Sequence, residues 1–207
     1  MKKILIIPII LIIFSSCTAE RYVIKQSYDA QAAVDYALKY TNERNLEYPE
    51  FDKNCTNFVS QCLVAGNMPM DAGAQPSDKT RIKSSDAKNK WYCINSQFAE
   101  NKPPNHSLSL PFVNTKAFVD YWTTHRGAIL NKYSNTFKGR DELLLNVEKG
   151  DVFLLYNIDG EVEHIGLITG VKSNDAFFCA NTVDHLELSI CNLNNAVYPE
   201  LGVVSFA

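Results

Sequence analysis

The last third of the chain changes its rhythm, and that change limits the architectures open to it. After the turn residues Lys149-Gly150-Asp151, residues 152–156 (Val-Phe-Leu-Leu-Tyr) are apolar without alternation, the pattern of a strand buried on both faces. Asp159-Gly160 then turns the chain into a second strand over 162–171, and Ser173-Asn174-Asp175 into a third over 176–181. Residues 186–191 and 201–206 supply a fourth and a fifth. Connections this short join antiparallel neighbours and leave no room for crossover helices. The first half carries helical periodicity instead. Helices first and an antiparallel meander after them define an α+β fold, with N-terminal helices packed on a C-terminal antiparallel sheet.

Ser27 or Asp29 can cap the first helix, along which Ala30, Ala33, Val34, Ala37, Leu38 and Thr41 recur at helical spacing. A loop over 46–53, containing Tyr48-Pro49, delivers the chain to Asn54-Cys55-Thr56-Asn57-Phe58-Val59-Ser60-Gln61-Cys62. Counting from Cys55, residues Phe58, Val59, Cys62 and Leu63 form one helical face, and Gly66 stops the helix. Cys55 therefore occupies the first turn, where unpaired backbone N–H groups and the macrodipole favour an anion. A nucleophilic thiolate is stabilised at such a position. A buried structural thiol would fit the same pattern, so the assignment depends on the rest of the chain.

Between about 67 and 111 the periodicity dissolves into Pro, Ser, Asn and Lys with isolated Trp91, Tyr92 and Phe98. A stretch of this length is read as an insertion over the site, its aromatics placed either against substrate or in a satellite core. A third helix follows over 114–125.

Lys2-Lys3 and an apolar run over 4–14 have the form of an export leader, too short to span a membrane comfortably. Phe14-Ser15-Ser16-Cys17 resembles the lipobox of bacterial lipoproteins, which implies a lipid on Cys17, a tether over 18–26 and a domain over 27–207. Cleavage would reduce the 20 basic residues to 18 against 23 acidic ones, a net charge of −5. An acidic body argues against a nucleic-acid partner. Export permits disulfides among Cys62, Cys93, Cys179 and Cys191. Cys179 and Cys191 flank a hairpin and could bridge it, but three full pairings are open. Cys55 and Cys62, seven helical residues apart, are too distant, at about 10 Å, to pair. No C-x-x-C or clustered histidine gives a metal signature, so no metal or organic cofactor is expected.

Within the meander, His164 shares a strand face with Gly166, Ile168 and Gly170, which would leave space beside the imidazole. A turn centred on Ser173-Asn174 would set Gly166 opposite Asn181 and make Asn181 a diagonal neighbour of His164. Asp184 and His185 are rival orienters. A thiol nucleophile needs a base, and the base a partner that fixes its tautomer. Singly, each residue also fits a structural role. Their order lifts them: helix-borne Cys, Gly-Asp strand, His strand, polar strand.

In that order the chain resembles the amidase domain of bacterial cell-envelope proteins, which is similar in layout to the papain-like NlpC-type and CHAP-type peptidases of peptidoglycan. Asn54-Cys55-Thr56-Asn57-Phe58-Val59-Ser60-Gln61, Tyr48-Pro49 and Ala65-Gly66 carry the first block of the resemblance. Gly150-Asp151-Val152 through His164-Ile165-Gly166 to Gly170 carry the second. The resemblance implies a papain-like fold, Cys55 as nucleophile, His164 as base and Asn181 as orienter, where the family commonly shows a histidine. It further gives Tyr48 and Asn54 oxyanion or substrate roles, and Trp91 matches a tryptophan of the insertion. The expectation is an exported, lipid-anchored thiol hydrolase that cuts an amide of peptidoglycan, in the stem peptide or between peptide and sugar. A cysteine peptidase of protein substrates and a non-catalytic wall-binding lipoprotein are the alternatives.

Overall fold

Two packed helices lead into a six-stranded antiparallel sheet, with a small three-stranded sheet between them in sequence. A computed structural model describes residues 27–73, 75, 79–83, 89–95 and 105–206. The leader, Cys17, the tether and Phe98 lie outside them. Helix α1 (Ala30–Tyr40) begins at Asp29, whose carboxylate accepts the Ala32 N–H at 3.0 Å, the side-chain cap that its position predicts. Helix α2 (Cys55–Ala65) ends at Gly66, whose N–H returns to the Cys62 carbonyl. Strands β1 (Arg81–Lys83), β2 (Cys93–Asn95) and β3 (His106–Ser109) make the small sheet in the order β1-β3-β2. Next come α3 (Leu110–Val113), α4 (Thr115–Asp120) and a π-helical turn, Tyr121–His125, so the expected third helix changes pitch at its middle.

The large sheet contains β4 (Ile129–Ser134), β5 (Val152–Tyr156), β6 (Val162–Lys172), β7 (Asp175–Ala180), β8 (His185–Ser189) and β9 (Glu200–Ser205), in the order β4-β9-β5-β6-β7-β8. Strand β4 and helix α5 (Phe137–Leu144) had no clear periodic signal. β4 is an edge strand of mostly exposed residues, and α5 buries only Gly139 and Leu143. On one face of the sheet Val152, Leu154, Ile165, Leu167 and Cys179 pack against Ala33, Val34, Phe58, Val59, Cys62 and Leu63 of α1 and α2. The other face buries Phe153, Leu155, Ile168, Phe178, Leu201 and Val203 beneath Leu143, Val147 and Ile190. Apolar residues on both sides of β5 are thus the direct consequence of two covered faces.

Trp91 belongs to the main core, neither to a satellite cluster nor to an open site. Its ring lies 5.2 Å from Phe112 and 5.1 Å from Trp122, and its Nε1–H donates to Ser60 Oγ at 3.0 Å. Asp71 anchors the same region, accepting from the Trp91 N–H at 2.7 Å and from the Tyr121 hydroxyl at 2.6 Å. Cys62, Cys93, Cys179 and Cys191 are all free thiols. The bridge considered between Cys179 and Cys191 is not formed. Cys179 is buried in the helix-side core, whereas Cys191 is exposed in the turn after β8.

The β6–β7 register departs from the expected one. Val171 faces Ala176 and Gly170 faces Phe177, as a turn at Ser173-Asn174 requires, but then Ile168 faces Phe178 and Leu167 faces Cys179. Thr169 is the extra residue of a bulge. A slip of one residue exchanges the faces of everything beyond it.

Candidate active site

Cys55 is the first residue of α2, and the side chain of its N-cap, Asn54, accepts no backbone N–H of the helix. The first intrahelical bond runs from the Phe58 N–H to the Asn54 carbonyl at 2.9 Å. The N–H groups of Cys55, Thr56 and Asn57 therefore stay open at the positive end of the helix. The thiol is almost covered, 6% exposed. Its Sγ lies 3.9 Å from Thr56 Oγ1, which in turn is 2.9 Å from Thr115 Oγ1 on α4.

A cavity of about 220 Å³ opens on this thiol, lined also by Lys53, Glu163, His164, Thr182, His185 and Tyr198. His164 thus reaches the cavity of Cys55, although it arrives by an indirect route. It stands opposite Leu155 of β5, and so on the sheet face away from the helices, near the start of β6. The space foreseen beside Gly166 is filled: a Cβ there would lie 2.7 Å from the Cys179 carbonyl oxygen and 2.7 Å from the Phe178 ring. The His164 ring meets that of His185 edge to face, centroid to centroid 6.4 Å. His164 Nε2 is buried with no hydrogen-bond partner, and no hydrogen bond joins it to Cys55. Burial, reinforced by His185, lowers the His164 pKa from 6.5 to about 4, so the imidazole is neutral at pH 7 and available as a base.

Asn181 does not orient His164. The register slip takes it to the helix side, where its Nδ2 donates to the Thr41 carbonyl at 2.8 Å and its Oδ1 accepts from Asn54 Nδ2 at 3.1 Å. Asn54 is held in the same network, with one of its two amide N–H groups given to Asn181. Its Oδ1 accepts from the Phe51 N–H and from Asn57 Nδ2, and its backbone N–H donates to Thr182 Oγ1 at 2.8 Å. These buried amides tie the end of α1, the loop 46–53 and the end of β7 to the start of α2. Thr182 completes the tie with a φ of +90°, a left-handed geometry that is costly for a β-branched residue.

Tyr48 stands apart from the thiol cavity. It stacks on Phe112 at 6.3 Å and lines another cavity with Met70, Cys93 and His106, and burial raises its pKa, which keeps the phenol protonated. Asp184 pairs with Arg44 at 2.9 Å. Lys53, Glu163 and Tyr198 were not singled out from the sequence. Glu163 adjoins the histidine motif, but nothing local marks Tyr198. No group of three or more His, Cys, Asp or Glu side chains placed to hold a metal ion occurs among the described residues.

Residues 27–198, most of the chain, match a family model described as "Putative amidase domain". The chain belongs to this family. Two Bacillus subtilis proteins described as uncharacterized are similar to this chain. YhbB is 36% identical over 90 residues, 44% of this chain and 25% of its own length. YjcM is 29% identical over 172 residues, 79% of this chain and 33% of its own. The chain thus spans about a quarter to a third of these longer relatives. No solved structure matches the amidase domain.

Proposed function

We propose that this amidase domain is a papain-like cysteine hydrolase that cleaves an amide through a thioester on Cys55, with His164 as the base. The observation that carries the reading is a thiol at an uncapped helix N-terminus, sharing one cavity with a neutral imidazole whose buried Nε2 has no partner. Nε2 takes the thiol proton as Sγ attacks the carbonyl carbon. The oxyanion is met by the open N–H groups of the first turn of α2. The imidazolium then returns its proton to the nitrogen as the C–N bond breaks, and water, deprotonated by His164, cleaves the thioester to the acid and the free thiol. Contact between Sγ and Nε2 is required only in the substrate complex, where catalytic hydrogen bonds tighten.

The cell envelope is the proposed setting, with a lipid on Cys17 as the anchor and peptidoglycan, in its stem peptide or peptide–sugar link, as the substrate. The leader motif and the family resemblance support this setting. Digestion of purified peptidoglycan with fragment identification by mass tests it. Cys55→Ala should abolish product release while leaving the thermal unfolding midpoint close to that of the parent. Undiminished release by that variant would sink the mechanism.

A further inference from the structure

The thiol does not lie at the end of its cleft. A second cavity, about 430 Å³, meets the first along Lys53, Cys55 and Glu163. A third, about 390 Å³, continues it along Lys116, Glu161 and Val162 between α4 and the β5–β6 hairpin. The three adjoin through these shared walls as sections of a groove, Cys55 lining both the first and the second, His185 and Tyr198 the first alone, and Val119 and Gly160 the third alone. Its second section carries opposite charges from separate elements: Glu161 and Glu163 from the hairpin, Lys53 from the loop before α2 and Lys116 from α4. No ion pair joins them among the described residues. Lys116 pairs instead with Asp120 at 3.0 Å. Charges of both signs that line one cavity without meeting leave room for a ligand that carries both.

We infer that the groove holds an extended polar peptide on both sides of Cys55, so that the domain cuts an internal amide and not a terminal one. Peptide groups of either charge would be met beyond the thiol by Glu161, Glu163 and Lys53. This inference rests on the hydrolase reading, and the two fail separately. The test is a ladder of peptides that share one scissile amide and are extended by zero to three residues on each side, with an acidic and a basic residue among the additions.

With the parent protein, kcat/KM should rise at least about tenfold as both sides fill, since binding energy from remote residues is used at the reacting centre. In parallel, anisotropy with Cys55→Ala reads binding without turnover. Affinity should grow with extension on each side, and Glu161→Lys should weaken the longest basic members more than the shortest. Binding or turnover as good for the unextended peptide as for the longest one overturns the groove. Length-dependent binding with no cleavage by the parent would uphold the groove and reject the hydrolase.

Discussion

At the scale of single residues, the amide of Asn181 shows how a site residue can act without touching the chemistry. It joins the last carbonyl-bearing turn of α1 to the N-cap of α2, and both partners are buried. Asn181→Ala strands Asn54 Nδ2, at about 1–3 kcal/mol, whereas the Thr41 carbonyl keeps the Arg44 Nη1–H at 2.9 Å. Urea unfolding should therefore show a loss of about 1–3 kcal/mol. A loss below about 0.5 kcal/mol would mean that water replaces the amide without cost and that the tie is not structural. The chemical type of Asn181 was legible, as a buried polar residue on the strand after the histidine. Its partners were not, because a bulge at Thr169 reversed the face on which it projects.

At the scale of elements, the contact of β6 with β7 depends on Gly166 lacking a side chain. An added Cβ meets a backbone oxygen of the neighbouring strand, which cannot rotate away. Gly166→Ala should destabilise the fold by about 1–3 kcal/mol, the range of an overpacked core, with the change confined to β6 and β7 in hydrogen exchange. Unchanged protection of those strands would show that the sheet yields freely. Helix α1, helix α2 and the four meander strands were readable because each has a strong period and explicit punctuation. The edge strand β4 was not, since one side of it pairs only with β9 and most of its residues face solvent.

At the scale of the whole molecule, two buried groups set opposing pH dependences. The unfolded His164 imidazole binds its proton near pH 6.5 and the folded one only near 4. Between these values the unfolded chain holds more protons, so this group makes stability rise with pH. Asp151 works the other way. Burial raises its pKa from 3.8 to about 6, against the lowering effect of hydrogen bonds from the Glu148 N–H and the Ser205 hydroxyl. Over that window the folded chain holds the extra proton and stability falls as pH rises. The two slopes largely offset between about pH 4 and 6. Relative to the parent, unfolding midpoints should tilt downward with pH in His164→Gln and upward in Asp151→Asn. Profiles of both variants parallel to the parent would remove these groups as the source.

What the sequence by itself determined is what neighbours along the chain can enforce: the helical and strand periods, the Asp29 cap and the Gly66 stop, and Cys55 at the head of α2. The helical features depend on bonds between residues about three or four apart and the strand period on side chains alternating at every second residue, so spacing suffices. The tertiary structure alone decided that His164 and Cys55 line one cavity, that Asn181 and Asn54 bind each other, and that Lys53, Glu163 and Tyr198 complete the walls. Those relations cross from helix to sheet and are set by register. One extra residue in β6 is enough to change them, and no local pattern announces where it will fall.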